Sequence, residues 1–274
     1  MSEAEQAPPG VDPTTPSTAR LYDYYLGGTA NFAADRAMAK RMYDAVPEVP
    51  EGAWANRGFH QRAAVWMAEK GIRQFVDIGA GLPTQGNTHE VVLKAAPDAK
   101  VVYVDVDPMV AAHAAALLTG GNSTRFVQAD LRRPDEVLDN AELRELIDFS
   151  LPVGLLITAV MHFVVDTDNP HALVARYVSE LAPGSYLALS HLTSDSKPGK
   201  AVEQSTELFD HIPENVKLRS KADIARFFDG LEIMPPYEDA KPELTFVGTW
   251  GAVDPKLADS DGSRWLYCAV AKRA

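Results

Sequence analysis

Asp77, Gly79, Ala80 and Gly81 stand where a short apolar run, Phe75-Val76-Asp77-Ile78, breaks into a glycine turn. A second apolar run, Val101 to Val104, ends about 20 residues past the glycines in Asp105-Val106-Asp107. Two strands that each deliver acid at their C-terminal end, with a glycine turn between them, describe a nucleoside-cofactor site at the mouth of a parallel sheet. Gly-Ala-Gly permits positive φ and close approach of a ligand to the backbone. The third glycine of a dinucleotide fingerprint is absent, because Leu82-Pro83-Thr84 follows. The Asp77 carboxylate would repel a diphosphate and suits a cofactor that presents a cationic amine.

Asp105 ends its strand directly and is the expected ribose reader, since an ionised carboxylate accepts hydrogen bonds from two vicinal hydroxyls. Asp107 alternates to the other side and fits helix capping better, with Pro108 in a first helical turn. Asp130, in Gln128-Ala129-Asp130-Leu131, can accept from an exocyclic adenine amine while Leu131 packs on the ring; its bland alternative is a salt bridge to Arg132 or Arg133. A fourth strand ends at Thr158-Ala159-Val160-Met161-His162, which places Ala159 and His162 beside the cofactor's reactive group. His162 reads as a general base or as a hydrogen-bonding wall of the pocket; His191, after the fifth strand, carries the same two readings with less support. No Asn-Pro-Pro-Tyr-like tetrapeptide follows the fourth strand, which disfavours adenine or glutamine N-methylation.

The elements that must position these groups follow from periodicity. Helices are expected over Ala34–Val46 and Asn56–Lys70, the latter with Phe59, Ala63, Trp66 and Met67 on one face. From residue 72 strands and helices alternate. Strands are expected at Arg73–Ile78, Lys100–Val104, Thr124–Gln128, Val153–Thr158, Tyr186–Ser190, Leu231–Met234 and Arg264–Val270, with Thr245–Val247 a further edge candidate. The intervening helices are Asn87–Ala96, opened by a capping-box spacing, Met109–Leu118, Pro134–Ile147, His171–Leu181, Glu203–Phe209 and Lys221–Phe228. Alternation of this kind predicts a doubly wound α/β sheet.

The 274 residues, 46% of them hydrophobic, suffice for one large α/β domain over 17–274, with residues 1–16 a disordered tail. A net charge of -12 argues against a nucleic-acid partner. No apolar run reaches the roughly 20 residues of a membrane span, and the N-terminus lacks a secretory pattern, so a cytoplasmic protein without membrane partners is expected. The single cysteine, Cys268, excludes an intramolecular disulfide and a Cys-based zinc site, and no metal is expected.

These motifs resemble those of the class I S-adenosylmethionine-dependent methyltransferases and, more narrowly, the bacterial family named S-adenosyl methyltransferase, once listed as a domain of unknown function. The resemblance runs from Ser17 to the C-terminus. It rests on Asp23-Tyr24-Tyr25-Leu26-Gly27-Gly28 with Asn31 to Arg36, Asn56-Arg57, Asp77 to Thr84 with Asn87 and His89-Glu90, Val102 to Asp105 with Asp107-Pro108, and Leu181 to Tyr186. It implies a Rossmann-like, seven-stranded, mostly parallel sheet with an antiparallel last strand, a helical lid over 17–71 and an α/β core over 72–274. It also implies S-adenosyl-L-methionine as cofactor. Asp77 and Gly79 to Gly81 would hold its methionine moiety, Asp105 the ribose, and Asp130 with Leu131 the adenine. Arg57 would take the carboxylate; Tyr24, Gly27, Gly28, Asn31 and Asp35 would form the lid. The expected activity is methyl transfer to a small-molecule acceptor. The alternatives are a non-catalytic cofactor-binding module and a nicotinamide-dependent oxidoreductase.

Overall fold

The structure is a computed structural model that describes residues 7–83, 86–117 and 123–274. Five parallel strands form its centre: β1 (Gln74–Ile78), β2 (Lys100–Asp105), β3 (Thr124–Gln128), β4 (Gly154–Thr158) and β5 (Tyr186–Leu192). β6 (Glu232–Ile233) and β7 (Thr245–Phe246) are two-residue strands, and β8 (Leu266–Lys272) closes the sheet. The order is β3-β2-β1-β4-β5-β8-β6, with β8 antiparallel to β5 and β7 also paired to β8. β1 lies between β2 and β4, so the chain reverses its direction of travel across the sheet there, and a crevice opens beyond the carboxyl ends of β1 and β4.

Both faces of the sheet are covered, as the near-continuous apolar runs of β1, β2 and β4 require. Val76, Ile78, Val102, Leu155 and Ile157 point to one side, and Phe75, Val101, Tyr103 and Leu156 to the other. The second side is packed by α3 (Val49–Glu69), which buries Phe59, Ala63, Ala64 and Met67. α3 therefore belongs to the layer that covers the sheet. Of the segment 17–71 expected to form a lid, α1 (Thr18–Tyr25) and α2 (Ala33–Ala45) remain outside this layer. α3 also starts seven residues before the expected Asn56, because Pro50 fits a first helical turn.

The remaining helices are α4 (Thr88–Ala95), α5 (Pro108–Leu117), α6 (Pro134–Leu138), α7 (Ala141–Leu146), α8 (Pro170–Glu180), α9 (Gly199–Phe209) and α10 (Lys221–Ala225). The single helix expected over 134–147 is two. Asn140 breaks it, with its side chain accepting from the Glu142 and Leu143 amides. The expected seven strands become eight for a related reason. Pro235-Pro236 cannot donate to the ladder, so β6 stops and β7 resumes the edge beside β8.

Residues 1–6 of the expected tail lie outside the described residues. Residues 7–16 are docked, contrary to the expectation of disorder. Ala7 and Val11 pack on the cluster of Phe32, Leu82, Met109 and Val110, and the Arg20 guanidinium donates to the Asp12 and Thr15 carbonyls. Arg20 also pairs with Asp35 at 2.8 Å, both side chains buried, and Asp35 accepts from the Ser17 and Phe32 amides. Removing one partner of a buried pair strands the other charge, at about 3–5 kcal/mol. Arg20→Met is therefore expected to lose about that much in a denaturant titration; a loss below about 1 kcal/mol would show that the two amides alone satisfy Asp35.

Candidate functional site

The crevice is a cavity of about 520 Å³, and the sequence-predicted acids converge on it. Gly79 and Gly81 turn at φ 70° and 65°, and a side chain on Gly79 would collide with Val160 from the β4 loop. The Gly79 and Ala80 amides donate to the Val104 carbonyl, while the Gly81 amide donates to Asp105 Oδ2 at 2.8 Å. Asp105 Oδ1 accepts from the Asp107 amide at 2.9 Å. A carboxylate offers about four lone-pair sites, so Asp105 keeps roughly two for a diol. Burial raises its pKa above the usual carboxylate value of 3.8, against the pull of the two amides. Asp107 caps α5 through the Met109 amide at 2.7 Å and accepts from Ser17 Oγ at 3.1 Å. It lines the cavity while joining Ser17, at the start of α1, to the start of α5.

Asp130 and Leu131 also line the cavity. Asp130 is engaged by Arg132, whose Nη2 lies 2.7 Å from Oδ2, as the salt-bridge reading anticipates. The Leu131 carbonyl accepts from the Tyr177 hydroxyl at 2.8 Å, which fixes the loop. Ala159 adopts φ 52°, unusual for a residue with a Cβ. Its amide donates to Ser190 Oγ, and Ser190 Oγ in turn donates to Asn56 Oδ1 at 2.5 Å.

Asp77 is buried at the end of β1 and belongs to a relay that the sequence does not announce. Thr88 Oγ1 donates to Asp77 Oδ2 at 2.6 Å. With its proton thus committed, Thr88 accepts from His60 Nε2 at 2.7 Å, so His60 Nδ1 is the acceptor for Thr158 Oγ1 at 2.9 Å. Burial pushes the His60 pKa down despite the nearby Asp77, consistent with this neutral tautomer. The relay ties β1, α4, α3 and β4 together around one carboxylate. Thr88→Val removes the donor to Asp77 and strands His60 Nε2–H, at about 1–3 kcal/mol. It is expected to lower the melting temperature and to weaken S-adenosylhomocysteine binding about tenfold by calorimetry; neither change would mean that the relay does not orient Asp77.

Arg57 and His60 lie three residues apart on α3, and both reach the cavity. Arg57 is 7% exposed, and its Nε is buried without a hydrogen-bond partner among the described residues. A buried guanidinium with an unmet donor invites an anion. The signal for this face is in the sequence. Asn56, His60, Ala63 and Met67 fall on one helical stripe, so the polar pair must be buried with the apolar one.

The predicted lid residues are placed differently. Tyr24 is exposed and, with Gly28 and Asn31, lies off the cavity. Tyr22 and Tyr25 face it, because the inward stripe of α1 runs through Thr18, Leu21, Tyr22 and Tyr25. Gly28 is small because the Asp23 carboxylate lies against it. Asp23 accepts from the Ala30 amide and Asn31 Nδ2, and Asn31 donates to the Gly28 carbonyl. That motif is a structural turn. Asp35 serves the buried pair with Arg20.

His191 is also displaced from the catalytic reading. Its Nδ1 donates to the Leu192 carbonyl and its Nε2 accepts from Arg219 at 2.8 Å. Burial pushes its pKa down to about 3, and it does not line the cavity. His162 does line it. Burial, then His191 and Arg219, hold its pKa well below the ordinary value, so it is a neutral imidazole with Nδ1 unpartnered.

A sheet of this order with an antiparallel strand beside β5, and an acid at or just past the end of each of its first three strands, has the architecture of the Rossmann-like methyltransferases. The chain belongs to the S-adenosyl methyltransferase family, whose model matches residues 4–274. With the family come the enzyme class and the cofactor, a methyltransferase that depends on S-adenosylmethionine. A protein of the DUF574 family from Streptomyces avermitilis is 36% identical over 95% of this chain and 98% of its own, with a TM-score of 0.87. A Thermobifida fusca protein provisionally assigned as a methyltransferase is 35% identical over 97% and 98%, also at 0.87. An O-methyltransferase family protein from Burkholderia thailandensis, 13% identical over 86% of this chain and 62% of its own, shares the fold at 0.53. No curated protein matches the chain. Among the described residues, no helix is long and apolar enough to cross a membrane.

Proposed function

We propose that this methyltransferase acts on a small-molecule acceptor, with the cofactor bound at the ends of β1 to β4. The carrying observation is that the acids, Arg57 and an apolar chamber under α1, α2 and α9 share one cavity of about 520 Å³, a size suited to a small ligand beside its donor. The residues fit the cofactor's chemistry. Asp105 has spare acceptor sites for a ribose diol, Asp77 lies where a cationic amine would be met, and the unmet Nε of Arg57 suits a carboxylate. Asp130 and Leu131 suit the polar edge and the face of an adenine.

When bound, the cofactor supplies an electrophilic sulfonium methyl group. The protein's part is alignment and exclusion of water. The β4 loop, fixed by Ala159 and Ser190, sets one wall of the reaction site, and neutral His162 offers a hydrogen-bonding nitrogen there. Methyl-labelled S-adenosylmethionine with a panel of small acceptors tests the reading. Label transfer to one of them is expected; binding of the cofactor with no transfer to any small acceptor, and transfer to protein or nucleic acid instead, would overturn it.

A further inference from the structure

The chamber beyond the cofactor acids is roofed by Leu21, Tyr25, Met42, Phe209 and Ile212. Three residues that line the cavity each carry a buried polar atom without a partner among the described residues: His162 Nδ1, Tyr25 Oη and Glu214 Oε2. His162 is only 4% exposed. Each unmet polar atom costs about 1–3 kcal/mol, so these three side chains gain by turning toward a ligand's own polar groups. The Lys217 amide donates to the His162 carbonyl at 2.8 Å, which lays the stretch carrying Glu214 across the β4 loop.

Charge narrows the ligand. Among the described residues, the lysines and arginines on the cavity wall are Arg57 and Arg132. Arg132 is held by Asp130, and Arg57 stands at the methionine end. Asp107, Asp168 and Glu214 face the same space. Burial, with help from Asp107, raises the Glu214 pKa against the pull of its own amide and of Arg20, which is itself paired with Asp35; a bound cation would reverse the shift. An anionic acceptor would enter with no free cation to meet it. An alcohol brings one donor, whereas an ammonium brings up to three.

We infer that the acceptor is an apolar amine, its body against the Tyr25–Phe209 roof and its nitrogen recognised by Glu214. This rests on the cofactor reading above. The ammonium first gives one proton to the Glu214 carboxylate, which later passes it to water. The nitrogen lone pair then forms the N–C bond while the methyl C–S bond breaks, its electrons remaining on sulfur. The products are a methylammonium, the thioether and one released proton.

The test is calorimetry on protein saturated with S-adenosylhomocysteine, using 2-phenylethylamine, 2-phenylethanol and 3-phenylpropionate. The amine is expected to bind at least about tenfold more tightly than either isostere, and Glu214→Gln to erase that preference while leaving S-adenosylhomocysteine affinity unchanged. Equal or tighter binding of the alcohol or the carboxylate overturns the inference. So does no binding by any of the three, an amine preference that survives Glu214→Gln, or a loss of S-adenosylhomocysteine affinity in that variant. Failure of S-adenosylhomocysteine to bind the unaltered protein is a different result and counts against the cofactor site itself.

Discussion

Arg57→Met is expected to weaken cofactor binding by at least about 30-fold while leaving the ligand-free protein as stable as before, or more so. The guanidinium is buried on α3 with Nε unmet. In the free protein it therefore carries a desolvation cost with little return. Methionine fills similar volume without that cost, so the melting temperature should hold or rise. In the proposed complex the same guanidinium meets a carboxylate, and loss of a buried charged contact costs about 2–5 kcal/mol, or roughly 30- to 5,000-fold in affinity. Calorimetry with S-adenosylhomocysteine and a thermal melt together check it. Weaker binding alone would not suffice, since a merely structural arginine would also weaken binding but would lower the melting temperature. Unchanged affinity would mean that the carboxylate lies elsewhere.

Asp105→Ala is expected to be at least as damaging to binding, with the fold surviving. Its carboxylate joins the Gly81 turn to the start of α5 through two amides and retains acceptor sites for a diol. Two charge-assisted hydrogen bonds of about 1.5–3 kcal/mol each are at stake, which implies at least a hundredfold loss. The pH dependence carries a defined sign. Burial raises the folded-state pKa above 3.8, so ionising this group opposes folding. That contribution to stability is complete below the unfolded pKa and is lost as pH rises through the folded one. Binding runs the other way, because the diol needs the ionised form. Cofactor affinity should therefore begin to fall on acidification while ordinary carboxylates are still ionised, and this fall should vanish in Asp105→Asn. An acid limb that persists in Asp105→Asn would assign the titration to another group.

Strand ends were the legible part of this molecule. The apolar runs, the turn glycines and the acids at or just past the ends of β1, β2 and β3 are local features, and each is where its spacing predicts it. Side-chain direction within short lid elements was not legible. α1 has only eight residues, and Tyr22, Tyr24 and Tyr25 differ in orientation through a helical phase that packing against α2 and α3 decides. The Gly27-Gly28-Asn31 motif resembles a ligand loop because a turn built around a buried carboxylate, Asp23, needs the same small and amide-bearing residues. His191 is expected to follow its strand as His162 follows β4, yet β5 runs on through Leu192 and Arg219, 28 residues away, claims the ring. Such distant partners leave no trace in local spacing. Neither does the relay from Asp77 through Thr88 and His60 to Thr158, although the stripe of Asn56, His60, Ala63 and Met67 shows that α3 buries polar groups.

The central claim is that one cavity at the ends of β1 to β4 holds the methyl donor in a defined orientation. A crystal structure of the complex with S-adenosylhomocysteine tests it most directly. The expected result is the amino-acid carboxylate on Arg57, the ribose hydroxyls on Asp105, the adenine between Asp130 and Leu131, and the sulfur facing Ala159 and His162. A cofactor bound outside this cavity, or reversed within it so that adenine meets Arg57, would contradict it.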